Sequence, residues 1–232
     1  MQMDIINLFK NLISLFYPQL CVGCSDALVG REQFFCPECF SKLPKTHYRS
    51  YQDNAAFDRF LGKVPIQKAV TYLYYNKDGL GQKVVADIKY RGNIQLGKWT
   101  GAHLAADLLP SGFFEDMDFI LPVPLHKKKL RKRGFNQSET IAQGISGVTG
   151  IPVETHNLYR SQANVSQTRK GVYDRWKNTQ GIFDVKNTES FENKHLLLVD
   201  DVLTTGSTLE ACAQALLKCR NVKISILTLA IA

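Results

Sequence analysis

The sequence has few of the features that mark membrane, secreted or repetitive proteins. None of its apolar runs approaches the roughly 20 residues that a helix needs to span a bilayer. It has no internal repeat and no low-complexity tract, and its start has neither the basic region nor the cleavage site of a secretory signal. Walker A and G-x-G-x-x-G motifs are also absent, so nucleotide hydrolysis and dinucleotide binding have no support. We therefore expect a cytoplasmic globular protein with reduced cysteines.

The composition of the 232 residues is that of an ordinary globular protein, with 44% hydrophobic and 22% charged residues. A chain of this length can bury a core without disulfide bonds. Lys and Arg number 29 against 21 Asp and Glu, which gives a net charge of +8. This excess predicts an anionic partner, namely nucleic acid, a phosphorylated small molecule or an anionic membrane surface.

Residues 1–16 place apolar side chains on one helix face, from Ile5 to Phe16. Asp4 and Lys10 interrupt the run, which is too short to cross a bilayer. The pattern predicts a short helix docked on the body of the protein, with a membrane-surface anchor as the alternative.

Four of the six cysteines are clustered as C-x2-C-x11-C-x2-C, at Cys21, Cys24, Cys36 and Cys39. Each C-x2-C pair can place two thiolates on one side of a tight turn, and two pairs complete a tetrahedron. The spacing predicts a structural zinc ion, with disulfides or unrelated thiols as the alternatives. Four thiolates leave no open coordination position, so this metal is expected to hold structure. Cys212 and Cys219 are expected to be core residues of a later helix.

The chain divides by pattern into three parts. Residues 1–44 are expected to hold the first helix and the metal module, 45–65 a linker, and 66–232 the main domain. In the main domain, predicted strands and helices alternate. The strands are predicted at 69–75, 119–123, 195–199 and 222–231, with shorter candidates at 151–155 and 181–185, and the helices at 80–90, 97–109, 136–148 and 207–218. The alternation predicts an α/β fold, with a mostly parallel sheet covered by helices on both faces.

The most informative segment is HLLLVDDVLTTGSTL, residues 195–209. Asp200 and Asp201 follow its apolar strand, and we expect them just past the carboxyl end, where open α/β sheets bind ligands. A helix starting near Ser207 adds free N–H groups. Small or hydroxylated residues that let the backbone wrap around a phosphate lie between them, at Thr204, Thr205, Gly206, Ser207 and Thr208. The acids and the loop together predict a site for a sugar phosphate; the alternative is a plain strand–turn–helix with two solvated acids.

A second strand end leads into a predicted basic loop, with a run of cations at Lys127, Lys128, Lys129, Arg131, Lys132 and Arg133. These six account for most of the +8, so the rest of the chain has 8 − 6 = +2. Such a run is commonly a solvated face. Its place after a strand end also fits a second anion site, and it could bind nucleic-acid phosphates without sequence preference.

The polar segment 158–183 has no long apolar period. It is predicted to be a loop or lid near the site, with a solvated helical hairpin as the alternative. Arg175 and Asn178 are three apart and could face a ligand from a short helix.

The 195–209 segment resembles the phosphoribosyl pyrophosphate (PRPP) motif of type I phosphoribosyltransferases, an apolar strand with D-D or E-D and then x-x-T-T-G-x-T. Over nearly its whole length, the chain resembles the ComF family of competence-associated proteins. The residues that carry this resemblance are the four cysteines, Lys89 to Gly92, Pro122 to Leu125, Arg133 to Gln137, Gln167 with Arg175 and Asn178, and the PRPP segment.

The resemblance implies a type I phosphoribosyltransferase fold that binds PRPP with Mg²⁺ and has a link to natural transformation, through handling of incoming single-stranded DNA. It implies that Asp200 and Asp201 are catalytic residues that bind the ribose 2′- and 3′-hydroxyls, and that Thr204–Thr208 bind the 5′-phosphate. The implied pyrophosphate loop contains Val123, Pro124 and Leu125, with Lys127 and Arg133 beside it. Candidate lid or acceptor residues are Lys89, Tyr90, Asn136, Gln167, Arg175 and Asn178.

Two functions remain open at this point. The first is a phosphoribosyltransferase, in which positioning and charge stabilisation help pyrophosphate to leave PRPP. No motif identifies its acceptor, and a glutamine-dependent reaction is disfavoured because Cys21 is expected to ligate zinc. The second is a non-catalytic competence factor that binds single-stranded DNA through residues 127–133, with PRPP as a regulatory ligand and proteins of the competence machinery as partners.

Overall fold

The computed structural model describes residues 18–161 and 182–232. The helix predicted within residues 1–16 lies outside the described residues, as do Gln167, Arg175 and Asn178. In the described ranges, no helix combines the length and the apolar character that crossing a membrane requires.

A parallel sheet lies at the centre of the described structure. Its four strands have the order β1-β6-β5-β2, and two further strands form a separate antiparallel pair. The strands are β1 (Ala69–Tyr74), β2 (Phe119–Pro122), β3 (Leu158–Arg160), β4 (Phe183–Val185), β5 (His195–Leu203) and β6 (Lys223–Ile231). Leu196 to Val199 have no exposed surface, because helices cover both faces of the sheet. The predicted α/β architecture is confirmed.

The structure describes seven helices, and several of them cover the two faces of this sheet. They are α1 (Pro37–Ser41), α2 (Ala55–Asp58), α3 (Leu80–Tyr90), α4 (Ile94–Leu108), α5 (Lys127–Arg133), α6 (Gln137–Thr149) and α7 (Ser207–Leu216), with 3-10 turns at Leu109–Ser111 and Glu189–Phe191. On β5, Leu197 and Val199 belong to the same apolar cluster as α3, α4 and α6. Leu196 and Leu198 belong to the cluster that contains α7. Alternate side chains of one strand thus serve opposite faces.

Glycines allow α4 and α6 to approach closely. A Cβ atom on Gly101 would meet the backbone of Ile141, and a Cβ on Gly144 would meet the carbonyl oxygen of Lys98. Because neither helix can tolerate a larger residue at these contacts, their spacing is closely defined. This contact determines where α6 begins, next to the carboxyl edge of the sheet.

The four-cysteine segment packs directly on the main domain. Cys21, Phe35 and Cys39 are buried in the same apolar cluster as α3 and α4. The ring of Trp99 on α4 contacts Phe34, Phe35 and Phe40, with centroids 5.5–5.7 Å apart. The Lys83 ammonium on α3 donates a hydrogen bond to the carbonyl oxygen of Gly23. The segment therefore supports α3 and α4 from one end.

Two strand predictions need correction. Asp200 and Asp201 do not follow β5 but lie within it, since the parallel pairing with β6 continues from Asp200 opposite Thr228 to Leu203 opposite Ile231. Residues 151–155 form no strand; Val153 makes a single parallel bridge to Ile120 at the edge of the sheet. In β5 the apolar run ends at Val199, but backbone pairing with β6 continues to Leu203. Amino-acid composition alone does not show where backbone pairing ends.

The predicted loop at residues 127–133 is the helix α5. Lys, Arg and Leu have high helix propensity. The helix begins where the His126 ring nitrogen accepts the Lys128 N–H at 3.1 Å and ends at Gly134, which has φ 82°.

Much of residues 45–65 is packed rather than extended as an open linker. Ala56 and Phe60 have no exposed surface, and Val64 is buried. These apolar side chains join the cluster that contains α7, so this part of the chain covers one face of the sheet.

Candidate ligand pocket and metal centre

A pocket of about 460 Å³ opens at the carboxyl ends of β2 and β5. It is lined by Asp200 and Asp201 from β5, by Thr204 and Thr208 from the loop before α7, and by the segment after β2. Side chains from α3, α5, α6 and β3 complete its wall. Ligands of open α/β sheets bind at this edge, so the pocket is the candidate ligand site.

The two acids in the pocket have different surroundings. One oxygen of Asp200, Oδ1, accepts hydrogen bonds from the Ser138 hydroxyl and from the Asp201 backbone N–H, both at 2.9 Å. Burial, and then the neighbouring charge of Asp201, raise the pKa of Asp200 to about 7. Near neutral pH this carboxyl group can therefore either donate or accept a hydrogen bond, depending on its proton.

Asp201 is held by a cation from another element. Its Oδ1 lies 2.8 Å from the Lys89 ammonium at the carboxyl end of α3, and the side chains of Asp201 and Lys89 are 8% and 21% exposed. The second oxygen of Asp201 is buried and has no hydrogen-bond partner. A buried carboxylate oxygen without a donor is costly, so a ligand hydroxyl that reached it would be favoured. Lys89 thus lies in the pocket as the counter-ion of Asp201.

The loop before α7 is shaped for an anion. Gly206 has φ 83°, a conformation that favours glycine, and as the residue before α7 it offers no side-chain cap; the Ser207 N–H donates to the Thr205 hydroxyl at 3.4 Å. Thr204, Thr205, Ser207 and Thr208 are exposed around it. A small recess of about 40 Å³ lies among residues 204–209 and next to Asp200. Exposed hydroxyls and free N–H groups at the start of a ten-residue helix form a suitable phosphate cradle.

Cations also line the pocket. Lys129 and Arg133 reach it from α5, and Arg160 reaches it from the end of β3. The guanidinium of Arg160 lies 5.3 Å from the ring centroid of Phe183, which holds it by a cation–π contact. Lys127 is on α5 but is not among the described residues that line the pocket. The pocket therefore combines two acids near a phosphate cradle with three further cations.

The structure also places the remaining predicted residues. Val123, Pro124 and Leu125 line the pocket, and Tyr90 lies at its edge with 79% of its surface exposed. Asn136 is outside the lining; its side-chain amide donates to the Val123 carbonyl oxygen at 3.0 Å and so fixes the segment after β2. Ser138 and Arg160 were missed by sequence reasoning, because an isolated serine or arginine carries no motif.

The four clustered cysteines converge into one site. Their sulfur atoms all lie within 4.8 Å of one another, and Cys36 Sγ is 3.8 Å from Cys21 Sγ and 3.9 Å from Cys24 Sγ. Tetrahedral Zn–S bonds of about 2.3 Å place sulfurs about 3.8 Å apart. All described cysteines are free, so the disulfide alternative fails, and Cys212 and Cys219 are buried core residues as predicted.

The backbone around the cysteines is adapted to this arrangement. The N–H groups of Cys36 and Cys39 point to the sulfurs of Cys21 and Cys36, at 3.4 and 3.5 Å. A Cβ atom at Gly23 would collide with the Cys39 side chain, so only glycine fits inside the first knuckle. The four sulfur donors thus fit a closed structural metal site, with zinc as the matching ion.

Comparisons with known proteins give a matching family, two relatives and a solved structure of low similarity. Residues 120–231 match the family described as a phosphoribosyl transferase domain. The chain is 33% identical over 215 residues to the DNA utilization protein YhgH of Salmonella typhimurium, covering 89% of this chain and 87% of that protein. It is 29% identical over 202 residues to the competence protein ComFC of Bacillus subtilis, covering 86% and 78%. A solved hypoxanthine phosphoribosyltransferase of Staphylococcus aureus has 16% identity and a TM-score of 0.38, covering 60% of this chain and 64% of that one.

Proposed function

Because the chain belongs to the ComF family and has the type I phosphoribosyltransferase fold, we propose that its pocket binds PRPP with Mg²⁺ and that the protein acts in DNA uptake and transformation. The observation that carries the proposal is the joining of the acid pair and the phosphate cradle in one pocket. We propose a cytoplasmic site of action, where the cysteines stay reduced and hold zinc.

Different residues of the pocket bind different parts of PRPP. The exposed hydroxyls and N–H groups of Thr204–Thr208 hold the 5′-phosphate, and Asp200 and Asp201 accept hydrogen bonds from the ribose hydroxyls. Lys129 and Arg133, which line the same pocket as the segment 123–125, stabilise the pyrophosphate. Mg²⁺ bound to PRPP would neutralise part of the pyrophosphate charge. No side-chain nucleophile is needed, because a fixed sugar and a stabilised leaving group suffice for transfer to an acceptor.

Calorimetry with PRPP and Mg²⁺ tests this proposal. We expect one site per chain, with affinity that increases from pH 6 to pH 8, because an ionised Asp200 accepts hydrogen bonds from the ribose. Arg133→Met should weaken binding roughly tenfold, about 1.4 kcal/mol, since it removes a charge from the pyrophosphate end. The matched control is Arg131→Met, on the same helix but outside the described pocket lining. An intact protein that does not bind PRPP would refute the proposal.

The second candidate is a non-catalytic competence factor that binds single-stranded DNA, with PRPP as a regulatory ligand. The observation that favours this candidate is the set of exposed cations on α5. Its six cations are exposed apart from Arg133, which is half-buried, and no ion pair between described residues includes them. Unpaired cations on one helix provide the electrostatic part of nucleic-acid binding. Competence proteins would then be its partners.

Three lysines of α5 lie outside the described pocket lining, so DNA and PRPP binding can be separated there. We expect the combined change of Lys127, Lys128 and Lys132 to Gln to weaken binding of a fluorescent oligo-dT while leaving PRPP binding intact. The slope of log affinity against log salt should fall by up to about 2, because each lost phosphate contact contributes about 0.7. The control exchanges three exposed lysines elsewhere, Lys63, Lys186 and Lys223. Equal losses in both triple variants would exclude α5 as the DNA surface.

A further inference from the structure

We propose that Gln137 and Ser138, the first two residues of α6, are positioning residues that hold two functional groups of the pocket, the Arg133 guanidinium and the Asp200 carboxyl group. Ser138 orients the Asp200 carboxyl group, and Gln137 orients the Arg133 guanidinium. The inference rests on the proposed PRPP site and names the residues that prepare it for the ligand.

Ser138 fixes the orientation of the Asp200 carboxyl group. Its side chain is 1% exposed, and its hydroxyl donates to Asp200 Oδ1 at 2.9 Å. The backbone N–H of Asp201 donates to the same oxygen. Because both donors contact one oxygen, the carboxyl group cannot rotate without losing them, and the second oxygen is left for a ligand hydroxyl. Because Ser138 is buried, its main role is to orient Asp200 and not to contact a ligand.

Gln137 has the matching role for Arg133. It is 5% exposed, and its side-chain oxygen accepts a hydrogen bond from Arg133 Nη1. A guanidinium has five N–H donors in a fixed plane, so one bond to Gln137 sets the plane and leaves the others for an anion. Arg133 is half-buried and lines the pocket, whereas the rest of α5 is exposed. Gln137 therefore gives one cation of α5 a fixed direction.

The start of α6 is itself fixed, which makes these two residues effective. Asn136 caps the helix by accepting the Ser138 N–H at 3.2 Å and donates to the Val123 carbonyl oxygen. The close contact of Gly101 with Ile141 holds the next turn. Three consecutive residues thus connect the segment after β2, the cationic helix and the acid pair. A shift at the start of α6 would disturb all three together.

The Ser138 hydroxyl also affects the proton on Asp200. Hydrogen bonds to the ionised form favour it, so loss of the hydroxyl should raise the pKa of Asp200 further. The other groups acting on this carboxyl are the repelling charge of Asp201 and the attracting charge of Lys89; Cys212 on α7 lies near it, with a thiol whose pKa burial raises far above its usual value. None of these changes in a Ser138 variant. The pH at which PRPP affinity reaches half its maximum should therefore move upward.

The experiment compares Ser138→Ala, Ser138→Cys and Ser138→Thr with Ser146→Ala, which makes the same chemical change further along α6. Calorimetry with PRPP and Mg²⁺, from pH 6 to pH 9, is the measurement. We expect Ser138→Ala and Ser138→Cys to bind roughly three- to tenfold more weakly at pH 7 and to need a higher pH, while Ser138→Thr restores binding because it keeps the hydroxyl. Thermal melting confirms that each variant is folded.

Gln137→Leu, with Gln143→Leu on the same helix as its control, tests the role of Gln137 in orienting Arg133. It should weaken PRPP and inorganic pyrophosphate while leaving ribose 5-phosphate unchanged, because that ligand has no pyrophosphate. Wild-type affinities and pH profiles in folded Ser138→Ala and Ser138→Cys, or equal losses of all three ligands in Gln137→Leu, would overturn the inference. These results differ from failure of the proposed function, in which the unaltered protein does not bind PRPP.

Discussion

Asp200→Asn is expected to stabilise the protein above pH 7 while it weakens PRPP binding at least tenfold. Burial and the charge of Asp201 raise the pKa of Asp200 to about 7. A raised carboxyl pKa means that the folded state holds its proton more tightly than the unfolded state does. Stability from this group is therefore full below about pH 4 and is lost as the pH rises through 7. The neutral amide avoids that loss and keeps an oxygen for Ser138 and the Asp201 N–H.

The expected gain in the free energy of unfolding is close to zero at pH 4 and about 1–3 kcal/mol at pH 8. Each unit of pKa corresponds to about 1.4 kcal/mol, and solvent in the pocket screens part of the full difference. Urea unfolding at the two pH values measures it. PRPP affinity should fall at least tenfold, since an amide cannot supply the negative charge that attracts the sugar hydroxyls.

Asp201→Asn is the matched control, because it makes the same chemical change on the adjacent residue with the opposite expected effect on stability. It breaks the ion pair with Lys89, whose ammonium is 2.8 Å away and only 21% exposed. The loss should be about 1–3 kcal/mol at pH 8, less than for a fully buried pair because Lys89 can turn toward water. If both variants were destabilised equally at pH 8, the account of Asp200 as a strained carboxylate would be wrong.

Removal of the metal from the four-cysteine site is expected to have the largest effect on the fold. Structural zinc contributes about 10–16 kcal/mol of apparent binding energy in isolated zinc-finger peptides, and all of it is linked to folding. Here the site also supports α3 and α4, since Cys21, Phe35 and Cys39 lie in the main core cluster. We expect one zinc per chain, and a chelator or Cys24→Ser should lower the melting temperature by more than roughly 10 °C.

Cys24 is the most informative ligand to replace, because its side chain is exposed and the change removes little core packing. Cys219→Ser provides the control: this buried thiol lies outside the cluster, so it should retain one zinc per chain despite some loss of stability. Trp99 reports on the event, since Phe34 and Phe40 contact its ring. Trp176 is the second tryptophan of the chain, and its replacement by Phe leaves Trp99 as the fluorophore. The fluorescence of Trp99 should then shift to the red as zinc leaves. Unchanged fluorescence and melting temperature in zinc-free protein would contradict a structural role.

Local sequence patterns predicted the parts of the site that are built from neighbouring residues. The cysteine spacing predicted a converged four-sulfur cluster, and the structure has one. The segment 195–209 predicted a strand, a turn and a helix, and β5 and α7 confirm them apart from the position of Asp200 and Asp201. Both patterns depend on residues within one turn or one strand of each other, so the chain's own geometry makes them close.

Other features depended on contacts between distant parts of the chain. The helix at 127–133, for which the sequence predicts a cationic loop, is an exception, because its end signals at His126 and Gly134 are local. Only the fold shows that Arg133 reaches the pocket while Lys127 does not line its described part. Similarly, the sequence predicts a linker that includes Phe60 and Val64, because their burial depends on a sheet that forms from later residues.

The sequence by itself determined which chemical groups are present: four clustered thiols, an acid pair followed by a loop of small and hydroxylated residues, and one strongly basic stretch. The tertiary structure decided how the two acids differ, with Asp201 paired to Lys89 and Asp200 bonded to Ser138. The physical reason is that carboxylates of identical composition acquire different charges and orientations only from their surroundings. Those surroundings come from α3 and α6, which the strand order brings to the same edge of the sheet.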